Sequence, residues 1–199
     1  CHYKGGLDAV ALYLQMNPNS RFFSGKGLIL GAGAPEMMNK NKVGLLSGLL
    51  VEHANPLLNL IRTPSLKMAM IRDFSEKIEE ILPVILRKNI TNISGIPSWY
   101  QVLFQTIKDK TGEEDISNIW PNLEVFFHGG VSFEPYKDFF RSAITSKNMH
   151  YMEMYNASEG FFAMQNDFAD RGMLLMLDYG IFYEFIPFEE ENNKEKVLT

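Results

Sequence analysis

The sequence predicts an α/β fold, a mixed and largely parallel sheet with flanking helices. Three observations carry this. Strand-like apolar runs such as "KGLILGAG" (26–33) and "NLEVFFHGG" (122–130) alternate with stretches whose apolar residues recur at helical spacing. The runs "NLEVFFHGG" and "MHYMEMY" (149–155) flank a helical stretch, with roughly twenty residues between strand ends, enough for a crossover between parallel strands. The composition, 46% hydrophobic and 13% aromatic over 199 residues, can fill one ordinary core or part of a larger one.

Taken in order, Ala9 to Asn17 reads as a weak helix ended by "NPNS". "KGLILGAG" reads as a short buried strand closed by glycines. Residues 36–61 are rich in Met, Asn and Leu and fit no single period. "TPSLKMAM" offers Thr63 as an N-cap with Pro64 at the first helical position. Between Asp73 and Lys88, Phe74, Ile78, Ile81, Leu82 and Ile85 form a helical apolar stripe, which Pro83 should kink or divide. Trp99, Val102, Leu103, Thr106 and Ile107 repeat that spacing, and Gly112 ends the helix. A strand of about six residues precedes Gly129–Gly130. Pro135 opens a helix over 135–147 with Phe139, Phe140, Ala143 and Ile144 inward. "MHYMEMY" is a further strand, and "MLLMLDYGIFYEFIPFE" reads as two more around Asp178–Gly180.

Charge and cysteine content exclude several classes. A formal net charge of −5 argues against a nucleic-acid surface. No apolar run is long enough to span a membrane, and the single Cys1 rules out an internal disulfide or a multi-cysteine metal site. Such usage fits a cytoplasmic protein. There is no internal repeat or low-complexity tract. The start at "CHYKGG", without Met or signal-peptide pattern, and the polar close "EEENNKEKVLT", read as loop or linker, suggest an internal fragment of a longer protein.

Parallel sheets place ligands outside the carboxyl ends of their strands. Gly129–Gly130 and the stretch Tyr155 to Gly160 both sit at such ends. Paired glycines let a backbone approach a flat ligand, and a tyrosine one crossover away can stack on a purine. Ser158 offers a hydroxyl to a phosphate oxygen, and Glu159 offers Mg²⁺ a hard oxygen ligand. Together these parts describe half of a nucleotide site. Taken alone, Ser158–Glu159 fits a helix N-terminus better than a nucleotide site, with Ser158 capping and Glu159 in the first turn.

"WPNLEVFFHGGVSFEPY" followed by "YMEMYNASEGFFA" resembles the auxin-responsive Gretchen Hagen family of acyl acid–amido synthetases, particularly bacterial members, within the adenylate-forming superfamily that includes firefly luciferase and acyl-CoA ligases. "ITNISGIPSW" (90–99) and "GIFYEFIPFEE" (180–190) add to the likeness, which is strongest from about 90 to 190. The resemblance implies that Gly129, Gly130, Val131 and Ser132 flank the adenine of ATP. It implies that Tyr155 stacks on that ring, Ser158 contacts the α-phosphate and Glu159 holds magnesium. Asn156 lies in the same loop; it replaces a residue often small in plant members, and its role is open. The family's Ser/Thr/Gly-rich phosphate loop would precede residue 1. Its acidic ribose-binding motif and smaller C-terminal domain would follow residue 199. The chain is therefore expected to be an internal part of the large N-terminal adenylating domain, inactive alone.

Other motifs carry less. "LILGAGAPE" fails the dinucleotide pattern, since Glu36 stands where the last glycine belongs and Pro35 where a helix should open; a tight turn closing a strand explains it. His2, His53, His128 and His150 lack metal-ligand spacing, and His128 is expected to be hydrogen-bonded near its strand end. No Gly-x-Ser-x-Gly marks a serine hydrolase. "SEKIEEILPVILRKN" places acids early and bases late, as a solvated helix does. The 11 methionines fill core gaps or suit an apolar substrate pocket. Phe182, Tyr183 and Phe185 are expected in the core or lining that pocket.

The implied function is ATP- and Mg²⁺-dependent adenylation of a carboxylic acid, followed by amide formation with an amine or amino acid. The residues also allow an acyl-CoA ligase of the same superfamily, or a nucleotide-fold binding module that turns nothing over. No protein partner, nucleic acid or membrane is implied.

Overall fold

The first helix runs over His2–Met16 (α1), longer than its weak pattern indicates, because Ala9 and Tyr13 bury themselves against the sheet. The structure, a computed structural model, describes residues 1–170, 172–190, 197 and 198. The run after α1 becomes strand β1 (Lys26–Ile29), with Leu28 and Leu30 buried. The ambiguous region resolves into an exposed hairpin, β2 (Glu36–Met38) with β3 (Asn41–Val43), then helix α2 (Leu46–Glu52) and a 3-10 turn over Pro56–Leu60.

Thr63 is not a cap. It ends β4 (Arg62–Thr63), where its backbone is committed to pairing with Leu28. Ser65 caps the short α3 (Leu66–Ala69) by accepting from the backbone N–H of Met68. Asp73 caps α4 (Phe74–Ile85) by accepting from Glu76. Pro83 lies in the last turn of α4, and the helix runs through it undivided, held by the burial of Ile78, Ile81, Leu82 and Ile85. Strand β5 (Ile90–Gly95) leads into α5 (Pro97–Thr111), ended by Gly112 in the left-handed conformation, φ 74°. The buried stripe of α5 is Tyr100, Leu103, Phe104 and Ile107; the expected Val102 is exposed on the neighbouring face.

After α6 (Ile116–Ile119) comes β6 (Val125–Gly129). The helix opened by Pro135 is shorter than predicted: a 3-10 turn over Glu134–Tyr136 precedes α7 (Lys137–Ala143), and Ile144 is already extended. Phe140 and Ile144 are buried as expected. Strand β7 (His150–Ala157) turns directly into β8 (Gly160–Gln165), and β9 (Met173–Leu175) follows. Among the described residues, the second strand expected beyond Gly180 does not form. A single bridge among the described residues joins Phe185 to Leu198, and Phe182 is 77% and Phe185 49% exposed rather than in the core. Of the polar close, residues 191–196 and 199 lie outside the described residues.

Among the described residues, seven strands form one sheet in the order β4-β1-β5-β6-β7-β8-β9. Neighbours from β4 to β7 are parallel; β8 and β9 are antiparallel. The predicted fold class is therefore borne out. Side chains alternate across the pleat. In β6, Phe126 faces the core built by α4, α5 and α7, while Val125 and Phe127 face α1. Trp120 ties the larger core together, its indole N–H donating to Ile85 O at 3.1 Å.

This packing makes Gly129 a test of close approach. A Cβ there would collide with the carbonyl oxygen of Met154 on β7. Gly129→Ala should destabilise the protein by about 1–3 kcal/mol, the usual cost of overpacking. Urea melts of the variant and wild type check this, and an unchanged midpoint would mean that β7 yields freely.

Candidate functional site

The sheet gathers the predicted residues at the carboxyl ends of β6 and β7. Gly129 pairs with Met154, so the glycine pair and Tyr155 lie on adjacent strand ends. Gly130 has φ 81°, which only glycine adopts without strain, and the chain leaves the sheet there. Val131 and Ser132 follow, both exposed; Ser132 Oγ accepts from the backbone N–H of Glu134 at 3.4 Å.

Tyr155 is 56% exposed, its ring resting on Phe162 at 5.1 Å with one face open. The ladder slips in register between Tyr155 and Asn156, and the side-chain oxygen of Asn156 lies against Gly129. Ser158 and Glu159 are the two turn residues between paired Ala157 and Gly160, both exposed. The helix-N-terminus alternative is thereby excluded: the apolar alternation of "GFFAMQ" continues as a strand. Glu159 has no ion pair among the described residues. No cluster of three or more His, Cys, Asp or Glu side chains able to hold a metal exists among those residues. A single carboxylate nevertheless fits Mg²⁺, which takes one or two carboxylates together with phosphate oxygens.

Two cavities adjoin these strand ends. A polar cleft of about 370 Å³ lies on the α7 side, lined by His128, Ser132, Lys137, Arg141, Tyr151 and Glu153 among others. Of the predicted residues it takes in Ser132; Tyr155, Asn156, Ser158 and Glu159 lie outside its lining. His128 departs from expectation. It is 2% exposed and stacked on Phe133 at 4.0 Å, and its Nδ1 has no hydrogen-bond partner. Burial, aided by the charge of Lys137, pushes its pKa down to about 3. Burial also raises the Tyr151 phenol to about 12. Both groups are neutral near pH 7.

The second cavity, about 830 Å³, lies on the α1 side under the ends of β1, β5, β6 and β7. Leu7, Val10, Phe22, Ile29, Phe127 and Met154 make its walls mainly apolar; Arg62, Asn92 and Ser94 interrupt them. Sequence reasoning missed all three. The only signal was a polar Asn–x–Ser inside the buried strand "ITNISG". No described helix is long and apolar enough to cross a membrane.

A solved structure shares this architecture. The chain superposes on the GH3.15 acyl acid amido synthetase with a TM-score of 0.66 at 12% identity, covering 83% of this chain and 40% of that one. The chain thus spans less than half of that synthetase's length. A looser superposition, with a TM-score of 0.40 at 14% identity, relates 79% of this chain to 26% of apo MatB from Rhodopseudomonas palustris. No curated protein matches the sequence. The GH3 family N-terminal domain matches residues 13–149, which hold the parallel core of the sheet and the glycine pair, and on that match the chain belongs to the GH3 family.

Proposed function

We propose that this chain contributes the nucleotide-facing part of an acyl acid–amido synthetase, which adenylates a carboxylic acid with ATP and passes the acyl group to an amine or amino acid. The observation that carries this is the register of β6 and β7, which sets Gly129–Gly130 beside Tyr155 with the Ser158–Glu159 turn just beyond. The chain would be an internal part of the large adenylating domain, with the phosphate loop before it and the ribose-binding motif and small domain after it.

In this reading, Gly129, Gly130, Val131 and Ser132 flank the adenine, and the open face of Tyr155 stacks on it. Asn156 buttresses the glycine turn. Ser158 donates to the α-phosphate. Glu159 would hold Mg²⁺, which when bound offsets charge on the phosphates. The protein's own contribution is to position two anions, the acid and the α-phosphate, that repel each other in water. No general base is required, because the acid arrives ionised. Its apolar body occupies the 830 Å³ cavity, whose Met154 rim adjoins the glycine pair.

The decisive experiment is ATP–pyrophosphate exchange on the full-length protein across a panel of aryl and alkyl acids. Exchange dependent on particular acids supports adenylation; none with any acid, from a protein that binds ATP, counts against it. Tyr155→Ala should weaken ATP binding by about 1–3 kcal/mol, the range for a lost base–aromatic stack. Unchanged affinity in a calorimetric titration would remove Tyr155 from the site.

A further inference from the structure

Resting on that reading, we infer that the acid is an extended one with a hydrogen-bond donor at the end remote from its carboxylate, and that Asn92 is the specificity-determining residue that reads this donor. Asn92 lies on β5 in the lining of the 830 Å³ cavity and is only 7% exposed. Its amide orientation is fixed by its neighbour. Thr91 Oγ1 donates to Phe22 O at 2.7 Å, so toward Asn92 it can only accept, and Asn92 Nδ2 donates to it at 3.1 Å. Asn92 Oδ1 therefore points the other way, and it accepts no hydrogen bond among the described residues. An acyl chain that fills the cavity without offering a donor would strip this oxygen of water, a costly loss, so the oxygen selects for a ligand that supplies one.

Gly27 keeps that oxygen accessible. A Cβ at residue 27 would stand 2.5 Å from Asn92 Oδ1. Much of the cavity wall, including the side chains of Phe22, Ile29 and Phe127, presents only carbon, and neither Arg62 nor Ser94 is bonded to this oxygen.

Register gives the length. Asn92 is level with Val125 and His150, four residues below Met154, and two strands away from it. At about 3.3 Å per residue and about 4.8 Å per strand, this is roughly 16 Å between Asn92 and Met154, both lining the cavity. An acid of about ten carbons with a terminal hydroxyl spans most of that distance. Arg62, half-buried on the same cavity and without an ion pair among the described residues, adds a positive potential that favours anionic ligands.

The test is calorimetric titration of the full-length protein with ω-hydroxydecanoate, decanoate and decanedioate, and separately with ATP. Wild type should bind ω-hydroxydecanoate about threefold to tenfold more tightly than decanoate, the worth of one net hydrogen bond. In Asn92→Leu that ratio should fall to about one. Gly27→Ala should lower it as well, and carries the test if the first variant fails to melt cooperatively. A wild-type ratio of one, or a ratio unchanged in both variants, overturns the inference. Tightest binding of decanedioate also overturns it, by moving recognition of the remote group to Arg62. A protein that binds ATP but none of the acids overturns this inference and leaves the nucleotide site standing. Selective acid binding without ATP binding supports Asn92 and counts against adenylation.

Discussion

Glu159→Ala is expected to cut Mg²⁺-dependent ATP–pyrophosphate exchange by about 100-fold or more, the scale seen when a group stabilising transition-state charge is removed. In the proposed site, the same variant should weaken AMP binding far less, because AMP would engage the base and α-phosphate contacts and depend little on the metal. The reason lies in the turn. Glu159 is exposed at the tip of a two-residue connection between β7 and β8, so truncation removes a carboxylate without opening a core. Glu159→Gln should lose nearly as much, since it keeps the shape but not the charge. Exchange assays over a magnesium titration distinguish the cases. Wild-type activity with an ordinary magnesium dependence would remove Glu159 from the metal-holding role.

The second large effect concerns His128 and acid. Its folded pKa is about 3, against an ordinary value of 6.5. Between those values the unfolded chain binds a proton that the native state refuses. Stability is therefore fully present above about pH 6.5 and is lost as the pH falls toward 3. For this single group the loss between pH 7 and pH 4.5 is on the order of 2–3 kcal/mol. The surroundings agree with the sign: Phe126 and Phe133 pack on the ring, and Lys137 on α7 opposes a further positive charge; Arg141 and the carboxylates Glu134, Glu153 and Asp170 line the same cleft. His128→Phe keeps the stacked shape and removes the titration. Its urea stability should fall less than that of wild type over this interval, by about that amount. Parallel curves for the two proteins would show that the ring accepts its proton in the native state.

Much of the fold was legible in residue order. The α4 stripe, the Gly112 stop and the crossover between "NLEVFFHGG" and "MHYMEMY" depend on local periodicity, and local periodicity decided them. Errors came where a residue had two local uses. Thr63 can cap a helix or end a strand, and pairing with β1 made it a strand end. Ser158–Glu159 suits a helix start or a hairpin turn, and the ladder from Ala157 to Gly160 chose the turn. The apolar run around Phe182 looks like a strand, yet beyond the single Phe185–Leu198 bridge no described strand pairs with it.

The sequence alone determined the fold class, the parallel crossover, the positions of the glycine pair and the Tyr-x-x-Ser-Glu turn at strand ends, and the family resemblance. Those properties reside in spacing and residue type along the chain. Tertiary structure decided what spacing cannot encode. It set Gly129 against Met154, turned His128 into a dry neutral ring, and put Asn92 in the lining of a cavity with its oxygen uncovered beside Gly27. Each of these depends on which strands become neighbours and in what register, and that is fixed only when distant segments bury their apolar faces together.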